Sequence, residues 1–271
     1  MDLTKLERRG LVLLGCGKMG SAMLEGWLKQ GLSPKAVWVI DPHPSDWVKV
    51  QGVHVNTDLP ASPEVVMLAV KPQMMGSALP QIAEYGGSDT VFLSIAAGTP
   101  IETFEAALGD DSPIIRAMPN TPAAVGKGIT ALFGNTQVSE AQMTLAEDLL
   151  SAIGQTVRLQ AEAQMDAVTG VSGSGPAYVF HMIECLAAAA EAQGLPADLA
   201  MKLAKATVAG AGALAEQSHE DPAQLRRNVT SPNGTTQAGL EVLMDATSGL
   251  PPLIANTVAA ATDRSRELAR G

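Results

Sequence analysis

The sequence predicts an α/β domain on a parallel-rich, doubly wound sheet, followed by an all-α domain. Three observations predict it. A G-x-G-x-x-G turn, Gly15-Cys16-Gly17-Lys18-Met19-Gly20, joins an apolar run to a helical pattern. Short, unalternating apolar runs recur up to about residue 160, as buried parallel strands do. Beyond that point Ala- and Leu-rich helical periodicity takes over, with almost no strand signal. The expected domains are 1–160 and 161–271.

Leu11–Leu14 is the first buried strand and enters the glycine turn directly. Gly15 permits the tight turn, Gly17 lets a pyrophosphate approach the backbone, and Gly20 lets helix and strand pack closely. The helical pattern through Ala22, Met23, Trp27 and Leu28 closes at Gly31. A second strand, Ala36–Ile40, ends at Asp41, 21 residues past Gly20. Strand, glycine turn, helix, strand and acid together make the context of a Rossmann-type dinucleotide site. Asp41 suits the ribose hydroxyls of NAD and would repel the 2′-phosphate of NADP; the alternative is a solvated turn residue before Pro42. His43 and His54 read as surface or turn residues.

Val65–Val70 is a further buried strand running into Lys71-Pro72, with a helix expected over about 73–85. Lys71 points either at a cofactor or at water. After the strand Val91–Ile95, the residues Ala96-Ala97-Gly98 are small enough to admit a flat ring. Thr99-Pro100-Ile101-Glu102 has the pattern of a capping box with proline at the first helical position. Ile114-Ile115 leads to a stiff loop, Arg116 to Pro122, suited to a cofactor amide, to a substrate or to plain structure. Gly128–Leu132 and Thr156–Leu159 read as two more strands. Between them Ser139-Glu140-Ala141-Gln142 opens a helix through about Ile153, which Gly154 closes.

In the second half Asp166–Val171 is helical, Ser172–Pro176 interrupts it, and a new helix starts near Pro176. That helix carries Val179, Met182, Ile183 and Leu186 on one face and ends at Gly194-Leu195-Pro196. The next, about Ala197–Gln217, has a face of small residues: Ala206, Ala209, Gly210, Ala213 and, beside them, Leu214. So few residues cannot bury all these faces in one monomer, which points to a subunit interface. The stretch Leu225–Asp245 is the centre of this half. A turn, Thr230 to Thr236, runs into a helix with Leu240, Leu243 and Met244 on one side. Asn233-Gly234 can adopt positive φ at low cost, and the first-turn N–H groups form an anion site flanked by two threonine hydroxyls.

Composition limits the function classes. The 271 residues carry a net charge of −10, which argues against nucleic acid or an anionic membrane as partner. No apolar run reaches the roughly 18 residues a membrane span needs, and MDLTKLERRG makes a poor signal peptide. Apolar residues make up 46% of the chain, enough for a real core, while aromatics at 3% favour close helix packing through small side chains. Cys16 and Cys185 form no framework or metal spacing, so a reducing, cytoplasmic setting is expected. His181 has only Cys185 as a partner at i+4, and no metal site is expected there.

No Ser-His-Asp set or phosphate-transfer loop stands out. The available parts are a dinucleotide site, an anion-binding helix start and neutral hydroxyls. Carbonyl reduction needs a firm general acid. A protonated imine is already electrophilic at carbon, and a hydroxyl on its nitrogen can suffice.

The motifs GCGKMG, AVKP (69–72), SIAAG (94–98), RAMPNTPA (116–123), VSGSGPAYVF (171–180) and NVTSPNGTTQAGL (228–240) occur in order. Together they resemble pyrroline-5-carboxylate reductase. The resemblance implies reduction of 1-pyrroline-5-carboxylate to L-proline, the last step of proline biosynthesis, by NADPH or NADH. It also implies a Rossmann domain, a helical dimerisation domain, and dimers assembling into larger rings, commonly decamers. By matching position, Thr236 is implied as the catalytic hydroxyl on the pyrroline nitrogen. Gly234, Thr235 and Thr236 are implied at the carboxylate, and Ser174 at the nicotinamide side. Gly15, Cys16, Gly17, Lys18, Met19, Gly20, Asp41, Ala69, Val70, Lys71, Pro72, Ala97, Gly98 and Asn228 are implied as cofactor contacts. Asn233 stands where the family usually has glycine, and asparagine tolerates left-handed geometry. Asp41 stands where NADP-preferring members tend to have a small hydroxyl residue, which favours use of NADH. Gln217-Ser218-His219-Glu220 is given no role. The alternatives are another NAD(P)-dependent imine or β-hydroxyacid oxidoreductase, the latter with Lys202 or Lys205 as its base, and a non-catalytic dinucleotide sensor.

Overall fold

The computed structural model describes residues 4–270. By compactness the chain divides between Gly173 and Ser174 and again between Ala260 and Ala261, so its last residues belong with the first unit. This division falls later than the boundary expected near 160.

The first unit is built on one eight-stranded sheet. Its strands are β1 (Leu11–Leu14), β2 (Val37–Ile40), β3 (His54–Val55), β4 (Val65–Leu68), β5 (Val91–Ser94), β6 (Ile114–Met118), β7 (Gly128–Gly134) and β8 (Gly154–Arg158). They lie in the order β3-β2-β1-β4-β5-β6-β7-β8. All neighbours are parallel except β6 and β7. Side chains alternate between two buried layers. Leu11, Leu13, Val65, Met67, Val91 and Leu93 face one core with Trp27 and Leu149. Val12, Leu14, Val66, Leu68 and Phe92 face the other with Phe104 and Tyr85. Burial on both faces explains why these strands read as continuous apolar runs.

The helices of this unit are α1 (Thr4–Arg9), α2 (Lys18–Lys29), α3 (Asp46–Lys49), α4 (Met75–Ala78), α5 (Ile101–Leu108), α6 (Glu140–Ser151) and α7 (Met165–Val168). The capping box at Ser139 and Gln142 forms as expected. Four local expectations are corrected. The helix over 73–85 is replaced by α4 between 3-10 turns, because Pro80 lacks an N–H and cannot occupy a helix interior. The Thr99 capping box does not form; Pro100 is the N-cap of α5 and has no side-chain cap of its own. Gly154 opens β8 at φ +144 instead of closing α6, since any Cβ there would strike the Gly128 backbone. Arg116, Ala117 and Met118 continue β6 instead of starting a loop.

The expected break at Ser172–Pro176 is a wide π-helical turn, Thr169–Gly173, that leads directly into the second unit's first helix. The second unit contains α8 (Gly175–Ala192), α9 (Ala197–Gln217), α10 (Pro222–Asn228), α11 (Thr235–Leu243) and the first part of α12 (Leu250–Arg270). α8 and α9 pack on each other. Ala187, Ala200 and Ala204 are buried, whereas Val179, Met182, Leu186, Leu203 and Leu214 remain open on the single chain. The apolar faces read from the sequence thus exist but lack a partner within this unit. No helix among the described residues is long and apolar enough to cross a membrane.

Candidate functional site

In the first unit the glycine turn has the shape its sequence requires. Gly15 adopts φ +90 and donates its N–H to the Ile40 carbonyl at 2.8 Å. A Cβ on Gly15 would stand 2.9 Å from the Ala69 carbonyl, and one on Gly20 would stand 2.5 Å from the Gly15 oxygen. A Cβ on Gly17 would meet nothing within 4 Å. Gly17 is also the N-cap of α2 and supplies no side-chain cap. Uncapped first-turn N–H groups in front of open space make a cradle that fits a pyrophosphate.

Asp41 closes this turn from β2. Its Oδ2 accepts the Cys16 N–H at 2.7 Å and its Oδ1 accepts the His43 N–H at 2.8 Å. Asn56, at φ +51, brackets the Asp41 backbone, accepting from its N–H at 3.0 Å and donating to its carbonyl at 2.8 Å. Burial pushes the Cys16 thiol above its ordinary pKa, and the nearby Ser21 hydroxyl partly offsets this.

Because β1, β4 and β5 are neighbours, their carboxyl ends bring the glycine turn, Ala69–Pro72 and Ala97-Gly98 to one edge of the sheet. This is where a doubly wound sheet binds its ligand. Ala69 and Val70 are half-buried there, Lys71, Pro72 and Ala97 are exposed, and Gly98 takes φ +68.

In the second unit the turn before α11 is held by Gly234 N–H donating to the Ser231 carbonyl at 3.0 Å. Asn233 takes the left-handed position at φ 57, so the asparagine does the work ascribed to glycine. Its N–H donates to Gln237 Oε1 at 2.8 Å. Gly234 is the N-cap and brings no side-chain cap, leaving the α11 first turn open beside the exposed Thr235 and Thr236. Ser174 stands half-buried as the N-cap of α8. Along α10 and α11 lies a hollow of about 500 Å³ lined by Arg226, Arg227, Thr230, Gln237, Leu240, Glu241 and Met244.

Residues 162–268 match the pyrroline-5-carboxylate reductase dimerisation family, and residues 10–98 match the family of NADP oxidoreductases, coenzyme F420-dependent. The chain is 40% identical to the pyrroline-5-carboxylate reductase of Pseudomonas aeruginosa over 96% of each chain. It is 41% identical to that of Synechocystis, covering 96% of this chain and 98% of the relative. Among solved structures, a pyrroline-5-carboxylate reductase from Coxiella burnetii superposes with a TM-score of 0.90 at 34% identity, covering 96% of this chain and 98% of that one. The Plasmodium falciparum enzyme with NADP bound superposes at 0.82 and 28% identity, covering 97% and 99%. The chain belongs to the pyrroline-5-carboxylate reductase family. Its chemistry is NAD(P)H-dependent reduction of the C=N bond of 1-pyrroline-5-carboxylate to give L-proline. The dimerisation match and the uncovered faces of α8 and α9 agree on self-association.

Sequence reading missed several residues that shape this reductase. Glu162 Oε1 accepts the Ile101 N–H at 2.8 Å and the Arg116 guanidinium at 2.6 Å, supplying the cap that Thr99 does not. Asn120 spends its side chain on the framework: Oδ1 accepts the Ile129 N–H at 3.0 Å and Nδ2 donates to the Ser172 carbonyl at 3.2 Å. The stiff loop therefore holds the π-helical turn. Asn228 donates to Glu220 Oε2 at 2.8 Å and accepts from Gln224 at 2.7 Å, so the segment given no role anchors an expected cofactor residue. Only Asn56 left a local signal, an asparagine at a strand end where left-handed geometry is common.

Proposed function

We propose that the carboxylate of 1-pyrroline-5-carboxylate binds the open first turn of α11, at the N–H groups of Gly234, Thr235 and Thr236. The observation that carries this is the helix start itself, which has a glycine N-cap, no side-chain cap and two exposed threonines. Such a start favours a carboxylate through oriented N–H donors and the helix dipole. The Thr236 hydroxyl then hydrogen-bonds the ring nitrogen and keeps the protonated imine oriented. NAD(P)H bound at the glycine turn supplies the hydride. Gly17 and the α2 first turn hold its pyrophosphate, Asp41 reads the adenosine ribose, and Ala97 and Gly98 border the nicotinamide.

Asp41 favours NADH, because a 2′-phosphate would meet a carboxylate. NADP is the ligand of the Plasmodium relative, so both cofactors are proposed to serve. A cytoplasmic location suits two unpaired cysteines, and a ring of dimers such as a decamer is proposed for the assembly. The deciding experiment supplies 1-pyrroline-5-carboxylate with NADH and, separately, with NADPH. Oxidation of the cofactor with formation of L-proline is expected, and inactivity with both would overturn the reading. L-Proline should inhibit competitively with the imine.

A further inference from the structure

Segments from distant parts of the chain meet at the turn after β5. One end of the turn is tied by the Ala96 N–H donating to Ser94 Oγ at 3.2 Å, the other by the Ile101 N–H donating to Glu162 Oε1 at 2.8 Å. Between these ties Ala97 and Gly98 make no hydrogen bond among the described residues. The tip instead faces the last turns of α12, which belong to the first unit. A Cβ on Gly98 would stand 3.7 Å from both the Cβ and the carbonyl carbon of Leu268, which is ordinary contact distance. The glycine is thus one methyl's thickness from the helix end.

That helix end is pinned. Ser265 Oγ donates to Asp166 Oδ1 at 2.7 Å, across 99 positions of sequence. Thr262 and Ser265 are buried, whereas Arg264 with Glu267 and Arg266 with Asp263 pair off in solvent. Thr262, Ser265 and Leu268 recur every third residue and share the face turned toward the first unit. A buried hydroxyl bonded to a carboxylate fixes the rotation and register of a helix more narrowly than apolar packing does.

We propose that Ser265 is a positioning residue for hydride transfer: anchored on Asp166, it holds Leu268 behind Gly98 and so fixes the tip beside the nicotinamide. This rests on the proposed placing of the nicotinamide at Ala97 and Gly98. The segment 162–166 then grips the turn twice, directly through Glu162 and by way of α12 through Asp166. Hydride transfer depends on ring placement, and a misplacement of about 1 Å can cost roughly a hundredfold in rate. The adenosine and pyrophosphate end is proposed to be held elsewhere, at Asp41 and the glycine turn, so a loosened tip should leave its binding alone.

The test compares Ser265→Ala with the unaltered full-length protein in three measurements. The kcat is expected to fall roughly tenfold. The fluorescence of bound NADH should move toward that of the free cofactor, because its ring is less confined. The affinity for ADP-ribose, which lacks the nicotinamide, should not change. Ser265→Thr returns the hydroxyl and should restore the rate. Asp166→Ala should repeat the loss, and the double variant should be no worse than either single one. Leu268 is 59% exposed, so Leu268→Ala should show the same loss without disturbing a buried group, and it decides the matter if Ser265→Ala fails to fold. Full kcat in a folded Ser265→Ala protein overturns the proposal. So does a fall in ADP-ribose affinity in step with kcat, which would mark general loosening. Ala97→Leu separates this inference from the reading beneath it. If that variant keeps kcat and the bound NADH fluorescence, the nicotinamide lies elsewhere and both fall. If it impairs them while Ser265→Ala does not, the role of Ser265 alone falls.

Discussion

The carboxylate of Asp41 accepts a hydrogen bond from the backbone N–H of Cys16 at 2.7 Å. The residue proposed to select the cofactor is thus also a brace for the turn proposed to hold the phosphates. Its second oxygen is occupied by the His43 N–H, so a ribose hydroxyl must use remaining lone pairs. Asp41→Ser removes the charge that repels a 2′-phosphate but leaves a hydroxyl to face Cys16. The NADPH/NADH ratio of kcat/KM is expected to rise about tenfold or more, with weaker binding of both cofactors. An unchanged ratio would remove Asp41 from the ribose site.

Two glycines of one motif should fail in different ways. At Gly20 an added methyl meets the Gly15 carbonyl oxygen at 2.5 Å, a backbone atom that cannot swing aside. Gly20→Ala is expected to destabilise the fold by about 2 kcal/mol, seen as a lower urea midpoint. At Gly17 the methyl enters open space and the φ of −71 suits alanine. Gly17→Ala should change stability by less than about 1 kcal/mol yet weaken NAD(P)H binding roughly tenfold, because the methyl occupies the pyrophosphate's approach. Equal affinity in both proteins would show that the phosphates lie elsewhere.

Glu162 is the joint between β6, α5 and the chain leading to the π-helical turn. Arg116 is 10% exposed at its side chain, so losing the 2.6 Å partner leaves a nearly buried cation uncompensated. Glu162→Ala also strips the cap from Ile101. The expected loss is about 3 kcal/mol, and Glu162→Gln, which keeps the carbonyl acceptor, should lose about half of that. Denaturant unfolding of both variants measures it; matching stabilities would mean that only the charge matters.

These cases mark what a linear reading can reach. Gly17, Gly20 and Asn233 were legible because the geometry of each is set by neighbours a few residues away, while Gly15 and Asp41 were legible from the spacing of the glycine turn and the second strand. The strands were legible because burial on both faces forces apolar runs, and Pro80 could have been read as a helix breaker. The links Glu162–Ile101, Asn120–Ser172 and Asp166–Ser265 join residues 52 to 99 positions apart. No local pattern encodes such pairs; they arise only when the sheet sets strand ends side by side. The match of Thr99-Pro100-Ile101-Glu102 to a capping box misled for the same reason: Glu162, far along the chain, takes the Ile101 N–H, and Pro100 as the N-cap has no N–H to offer Glu102.

At the opposite edge of the sheet Arg9 donates to both oxygens of Asp89, each at 2.7 Å. The hydrogen bond from Arg9 holds the Asp89 carboxyl below its ordinary 3.8. A folded pKa below the unfolded one gives stability that is present above 3.8 and is lost as pH falls through the lower folded value. Because Asp89 is 71% exposed, solvent screening limits the contribution to about 0.5 kcal/mol. Asp89→Asn should therefore melt slightly lower than the parent protein at pH 7, and the two melting curves should converge below the folded pKa. A gap that widened on acidification would reverse the sign and discard the pair as the cause.

In the proposed mechanism Thr236 bears the heaviest chemical demand. The hydroxyl is exposed beside an uncapped helix start, and the imine nitrogen needs a partner that tolerates its proton without competing for it. Thr236→Ala is expected to lower kcat by roughly ten- to a hundredfold, as loss of one transition-state hydrogen bond does, while the Kd for NAD(P)H changes little. Thr236→Ser should restore most of the rate, because it returns the hydroxyl and leaves only a methyl missing. If the alanine variant kept full kcat, the substrate would have to arrive protonated and be oriented by its carboxylate alone. The N–H groups of the α11 first turn would then be the whole of the substrate site.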